Sequence, residues 1–213
     1  MSDDEFAQWL SGFTDAEGNF YILIPKNNVI SFRFKIKLHL DDKDALVFIQ
    51  SRLKCGNIIT AQGKSYASFE LTRIADIQTI LIPLFDKFPL ITKKWADYLL
   101  FKEALELIKE KKHLTIEGFN EIIAIRASIN KGLPKSLKEK FPYVTGKTIP
   151  PVMIPDNLNP NWVAGFMEAE GCFFVKSFIN SKENIQFVLG CQITQHSRDP
   201  MLIKKFTSLI ADG

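Results

Sequence analysis

The sequence predicts an α+β fold built twice, a mixed unit with a four-stranded antiparallel sheet followed by a second copy, and three observations carry that prediction. Residues 9 to 20, WLSGFTDAEGNF, recur as residues 162 to 173, WVAGFMEAEGCF, shifted by 153 positions with seven identities in twelve and conservative pairs at Leu10/Val163, Ser11/Ala164 and Asp15/Glu168. A duplicated run of this kind marks a repeated structural unit. A looser likeness continues it, SFRFKIKLHLDDKDALVFI (31 to 49) resembling QFVLGCQITQHSRDPMLI (186 to 203). Between residues 30 and 40, Phe32, Phe34, Ile36 and Leu38 alternate with Arg33, Lys35, Lys37 and His39, the period of a half-buried strand. The segments that follow change to helical spacing.

In chain order, residues 6 to 16 form a short apolar helix, 19 to 25 a first strand and 30 to 40 the alternating second strand. A helix near 42 to 54 places Ala45, Leu46, Ile49 and Leu53 on one face. Short strands at 57 to 62 and 66 to 72 meet at Gly63-Lys64, and a helix near 74 to 86 follows. Segment 93 to 112, with Trp95, Leu99, Leu105 and Ile108 in phase, is an amphipathic helix. Thr115 is a candidate N-cap for a last helix that stops near Gly132-Leu133-Pro134. Tyr143 to Asn161 contains Pro150, Pro151, Pro155 and Pro160, a composition that favours extended chain over helix. The organisation expected is a first repeat over 1–142, a linker over 143–160 and a second repeat over 161–213. The second copy holds counterparts of only the first helix, two strands and the next helix. Repeat symmetry therefore predicts that it lacks a second hairpin and closing helices, roughly 60 to 90 residues, and that the functional chain is longer.

Composition excludes more than it selects. With 213 residues, 46% hydrophobic and 24% charged, the chain has the balance of a globular protein, which excludes a disordered tail. No window approaches 18 uninterrupted apolar residues, so no membrane-spanning helix is expected. The net charge of +3 permits a polyanionic partner without predicting one. Cys55, Cys172 and Cys191 are odd in number and form no C-x-x-C pair, so neither a disulfide framework nor a zinc knuckle is expected. The acidic start Met1-Ser2-Asp3-Asp4-Glu5 leads into no secretory or transit signal.

The duplicated run carries the chemistry. Gly12, Ala16 and Gly18, with Gly165, Ala169 and Gly171, put small residues on otherwise apolar helices, which lets two backbones approach closely. Each helix ends on a glutamate, Glu17 or Glu170, just before a glycine. Two carboxylates brought together repel, so one pKa rises or a cation is required, and hard oxygen ligands select Mg²⁺, Ca²⁺ or Mn²⁺. Either glutamate alone would ordinarily be a solvated helix terminus; repetition of the whole pattern argues for the site.

WLSGFTDAEG and WVAGFMEAEG resemble the signature of the LAGLIDADG homing endonucleases, in their single-chain branch with two motifs. HLTIEGFNEIIAIRASINKGLPKSLKEKFP (113 to 142) resembles that branch's pre-linker segment, so the likeness covers nearly the whole chain. The resemblance implies two pseudo-symmetric αββαββα halves with saddle-shaped antiparallel sheets, packed through the paired motif helices. It implies metal ions, Mg²⁺ above all, held by Glu17 and Glu170 with help from the carbonyls of Ala16 and Ala169. It further implies cleavage of both strands of a long asymmetric double-stranded DNA site across the minor groove, leaving short 3′ overhangs. Gln195 resembles a family glutamine that contacts the active-site water, with Leu40 as its apparent first-repeat counterpart. Lys93 and Lys94 stand where the family often carries a basic residue near the scissile phosphate.

The alternating strand offers Arg33, Lys35, Lys37 and His39 to phosphates and guanine edges, although a solvated sheet face would look the same in that stretch alone. The neighbouring strand adds Tyr21, Leu23 and Lys26, and the hairpin adds Lys64, Tyr66, Ser68 and Glu70 on a common face. Lys176, Gln186, Gln192 and Thr194 fall in matching places of the second unit, which makes one half basic and the other amide-rich. His39, His113 and His196 lack metal-ligand spacing. A competing reading keeps the fold and changes the activity, to an intron maturase acting on intron RNA or a catalytically silent nucleic-acid-binding protein. A third has the chain reassemble with a partner that carries the rest of repeat 2, whereas the full-length protein is read as a monomer. Family habit and the absent transit signal together point to an organelle, the mitochondrion.

Overall fold

The computed structural model describes residues 1–25, 29–180, 184–193 and 199–211. The chain divides into two compact units, Glu17–Met153 and a discontinuous one made of Met1–Ala16 with Ile154–Gly213. The boundary falls one residue before the end of the first helix, α1 (Asp3–Glu17). That helix starts earlier than its apolar spacing predicts, because Ser2 and Glu5 form a capping box. The Ser2 N–H donates to the Glu5 carboxylate at 2.6 Å, and the Glu5 N–H donates to the Ser2 hydroxyl at 3.2 Å. Asp3, Asp4 and Glu5 also place negative charge on the positive end of the helix dipole.

The contiguous unit continues with β1 (Gly18–Leu23), β2 (Ser31–His39), α2 (Lys43–Leu53), β3 (Asn57–Thr60) and β4 (Tyr66–Leu71). The four strands form one antiparallel sheet in the order β1-β2-β4-β3. Alternation in β2 does what the sequence predicts: Phe32, Phe34 and Ile36 are buried, while Arg33, Lys35 and Lys37 lie on the other face. α2 ends where Lys54 adopts a left-handed conformation and Gly56 follows at a φ of 80°.

After β4 comes α3 (Ile74–Asp76), which runs through a π-helical turn at Ile77–Leu81 into α4 (Ile82–Lys87). Pro83 has no N–H for the regular helical ladder, and the widened turn lies immediately before it. α5 (Lys94–Lys109) is shorter than predicted because Lys111 turns left-handed at a φ of 57°. Thr115 caps α6 (Ile116–Ser128) as expected, its hydroxyl accepting the Gly118 N–H at 3.1 Å. Asn130 and Gly132, both at positive φ, end that region. Pro134 then begins a short helix not expected from the sequence, α7 (Lys135–Lys140).

The core of this unit is aromatic. Phe20 packs on Phe34 (5.3 Å between centroids), Tyr98 (5.7 Å) and Phe101 (5.4 Å), and Phe34 meets Phe69 and Phe85 edge-on. Tyr98 is fully buried, and its hydroxyl donates to Asp86 at 2.7 Å; burial first, then that carboxylate, pushes the phenol far above its ordinary range. The proline-rich segment is tied back at Lys147, whose ammonium lies 2.7 Å from Glu121 and whose carbonyl accepts the Ser128 hydroxyl at 2.8 Å.

The discontinuous unit pairs α1 with α8 (Pro160–Glu170) and continues with β5 (Gly171–Ile179), β6 (Ile185–Ile193) and α9 (Pro200–Ala211). Asn159 caps α8, its side-chain oxygen accepting the Asn161 N–H at 2.9 Å, and Pro160 occupies the first turn. The two-stranded antiparallel β5–β6 ladder is open on both faces: Leu189 is 81% exposed on one and Phe178 47% on the other. The thiols of Cys55, Cys172 and Cys191 are free, and among the described residues no helix is long and apolar enough to cross a membrane.

Candidate functional site

The two motif helices meet backbone to backbone. A Cβ added at Gly12 would collide with the carbonyl of Trp162, and one added at Gly165 would collide with the carbonyl of Trp9. Glycine at both places is therefore what the crossing requires. Two reciprocal bonds fix it: Trp162 Nε1 donates to Asp15 Oδ2 at 2.9 Å, and Trp9 Nε1 donates to Glu168 Oε2 at 2.8 Å. Asp15 is 2% exposed and its counterpart Glu168 is exposed, so the two clasps differ in burial. The small residues were expected from the sequence and the clasps were not. Their signal was present in the co-repeating Trp and acidic positions, three residues before and after each glycine.

Each helix then delivers its last residue, Glu17 or Glu170. Burial pushes the Glu17 carboxyl above the ordinary carboxylate range, against the lowering pull of Lys94 and then Lys37. Of the two candidate lysines at the start of α5, it is therefore half-buried Lys94 that acts on Glu17, while Lys93 is exposed. A carboxylate that burial disfavours gains from a nearby cation, and the Glu17 carboxylate oxygens are hard donors. That chemistry fits Mg²⁺ or Ca²⁺. Among the described residues no three His, Cys, Asp or Glu side chains gather into a metal cluster, so any ion would be completed by water or substrate oxygens.

The face of the four-stranded sheet turned away from the aromatic core gathers the predicted polar side chains in register, with Ser68 (2% exposed) and Glu70 (6%) buried among them. Tyr21 lies opposite Arg33, Lys35 opposite Glu70, Lys37 opposite Ser68, and His39 opposite Tyr66. Asn19, Asn57 and Ile59, none of them expected from the sequence, fall on the same face by register, opposite Lys35, Glu70 and Ser68. At the centre is an ion cluster: Lys35 Nζ is 2.7 Å from Glu70 Oε1, Arg33 Nε is 3.3 Å from Glu70 Oε2, and the Ser68 hydroxyl donates to Oε1 at 3.2 Å. Burial alone would raise the Glu70 carboxyl, but the hydrogen bond and charge of Lys35, the charge of Arg33 and the Ser68 bond hold it below the ordinary range. Lys37 sits 4.0 Å above the Tyr66 ring. His39 turns its Nδ1 toward the Asp41 N–H at 3.4 Å, and Lys64 lies in the exposed turn between β3 and β4.

On β5–β6 the register puts Lys176, Gln186 and Gln192 on one face, together with Cys172, Phe174, Phe178 and Val188. That face is mixed rather than amide-rich. Lys26, Thr194, Gln195 and His196 lie outside the described residues.

The family description LAGLIDADG endonuclease matches residues 10–105 and 163–211. The chain belongs to that family. Among similar proteins is "Probable intron-encoded endonuclease 2" of Neurospora crassa, 35% identical over 224 residues, which cover 96% of this chain and 48% of that protein. Another is "Probable intron-encoded endonuclease Cox1-I1b" of Schizosaccharomyces pombe, 33% identical, with 92% and 47% covered. The chain thus spans about half the length of these curated relatives. Among solved structures, the LAGLIDADG fold recurs in I-SmaMI bound to an uncleaved DNA target in the presence of calcium ions, with a TM-score of 0.89, 33% identity, 96% of this chain and 72% of that one. It recurs also in the I-LtrWI homing endonuclease bound to target DNA, with a TM-score of 0.90, 33% identity, and 98% and 72% covered.

Proposed function

We propose that this LAGLIDADG protein is a site-specific double-strand DNA endonuclease that cuts a long asymmetric target and leaves short 3′ overhangs. The observation that carries the proposal is the glycine-to-backbone pairing of α1 and α8, two helices that each end on a glutamate at the same repeat position. In this reading residues 1–142 and 161–213 are the two repeats and 143–160 the linker between them. Glu17 and Glu170 supply the carboxylates for divalent cations, Mg²⁺ with Ca²⁺ or Mn²⁺ as substitutes, and the carbonyls of Ala16 and Ala169 add neutral oxygens. A bound cation would neutralise phosphate charge, lower the pKa of its water and stabilise a leaving 3′ oxygen.

The chain's own residues do the rest. Lys94, close enough to act on Glu17, offers its ammonium to the scissile phosphate, and Lys93 adds exposed positive charge beside it. Gln195 orients the attacking water, a role that rests on the family likeness. Tyr21, Lys37, His39, Lys64, Tyr66 and Ser68 on the first sheet, with Lys176, Gln186 and Gln192 on the second ladder, face the major groove. The relatives' names support an intron-encoded origin and a mitochondrial site of action.

Selection of cleaved duplexes from a randomised library tests this. Wild-type protein with Mg²⁺ should enrich one long asymmetric sequence and linearise a plasmid that carries it, and a chelator should abolish the cut. Glu17→Gln or Glu170→Gln should stop double-strand cleavage while retaining binding; full cutting by either variant would falsify the metal assignment.

A further inference from the structure

The four basic or polar side chains of β2 differ in a way their sequence does not show. Lys35 is bonded to Glu70 at 2.7 Å, so its charge is already matched within the protein. Lys37 is exposed and lies over a tyrosine ring, free to follow a phosphate. Arg33 turns its Nε edge to Glu70: the buried Nε faces Oε2 at 3.3 Å without the angle of a hydrogen bond. β2 is an interior strand of the sheet, and the Arg33 side chain is 36% exposed. A guanidinium whose Nε edge is drawn to a carboxylate by charge can present its other N–H groups as a fork in one plane. The acceptor pair that matches such a fork on a duplex edge is O6 and N7 of guanine in the major groove.

We propose that Arg33 reads one guanine of the target and that Glu70 is the positioning residue that holds the guanidinium for that contact. This rests on the DNA-binding reading above. It adds a division of labour on one strand: a base reader at 33, an internal counter-ion pair at 35 and 70, and a phosphate contact at 37. Glu70 itself makes no base contact in this arrangement, since both of its oxygens are engaged by Lys35, Ser68 and Arg33.

The test is a selection of bound duplexes from a randomised library with the whole 213-residue chain, scored as base frequency at each position, together with the salt dependence of binding. Wild type should fix a guanine at one position that Arg33→Lys and Glu70→Gln each relax by on the order of tenfold, with other positions unchanged within about twofold. Lys37→Ala should lower the salt slope by about one unit and leave the base profile intact, while Lys35→Ala should leave the slope nearly unchanged. If Arg33→Lys keeps the same guanine preference, Arg33 is no base reader. A uniform loss of affinity in Glu70→Gln with an unaltered profile would make Glu70 structural only, and overturn the positioning role. If wild type enriches no sequence at all, the DNA-binding reading fails and this proposal with it.

Discussion

Phe20 and Phe173 stand at the same place in the two repeats, three residues after the motif glutamate, and they meet opposite fates. Phe20 is 1% exposed and Phe173 is 73% exposed. The same holds across the paired strand, where register matches Phe32, 1% exposed, with Leu189, 81% exposed. Both ladders carry apolar residues at every second position, so the strand pattern alone does not make a core. What differs is the cover. Phe20 packs under Phe85, Tyr98 and Phe101 from α4 and α5, and Phe34 meets Phe69 from β4, segments with no counterpart among the described residues of the second ladder. An alternating strand is a request for a covering layer, and a contiguous apolar face left open is a surface for association.

Breaking the comparison gives the largest expected effects. Phe32→Ala should destabilise the protein by about 3–5 kcal/mol, as for a fully buried phenylalanine, whereas Leu189→Ala should change stability by less than about 0.5 kcal/mol. Chemical denaturation of both variants measures the contrast, and equal losses would mean the second ladder is buried in solution. Next in size are the glycines. Gly12→Ala and Gly165→Ala should each cost about 1–3 kcal/mol or more by forcing the helix backbones apart, and thermal melts should show the two alike because their collisions are alike.

The tryptophan clasps should separate the repeats again. Trp162→Phe withdraws a donor from buried Asp15 and should cost about 1–3 kcal/mol, while Trp9→Phe withdraws one from exposed Glu168 and should cost clearly less. The smallest effect concerns Glu17. Its folded pKa is raised, so the folded state binds a proton more tightly than the unfolded chain, and stability falls as pH climbs from the ordinary carboxyl value through the raised one. Above that window, Glu17→Gln should melt slightly higher than wild type without metal, and saturating Mg²⁺ should stabilise wild type more than the variant. Glu70 has the opposite sign: its lowered pKa contributes stability that is present above the ordinary value and lost as pH falls through the lowered one.

Much of this was legible in the sequence because it depends on period and repetition. The alternation of Phe32 to His39 set the two faces of β2, and the recurring Trp-x-x-Gly set the helix pair. What escaped depends on partners distant in sequence or on single missing groups. The charge on Lys35 reads as a free cation until register brings Glu70 across from it, 35 residues away. Asn19 and Asn57 are unremarkable alone and reach the sheet face only through pairing. The extra length of α1 turned on one local bond pair, Ser2 with Glu5, to which apolar spacing is blind. Gly12 and Gly165 announced a close crossing, yet the bonds that fix it join residues 147 and 159 positions apart.

Those two separations bear on how the chain folds. Residues 17–153 form one contiguous body, whereas α1 must wait for a helix that begins at residue 160. The cost of closing so long a loop grows only slowly with length, but it falls due before the pairing returns anything. On a ribosome the four-stranded unit can therefore be complete while the apolar N-terminal helix still lacks its partner. That interval is when the chain is most exposed to mispairing, since the close-packing face around Gly12 is still without α8. Refolding yield should accordingly fall with protein concentration, and faster so in chains that stop before residue 160.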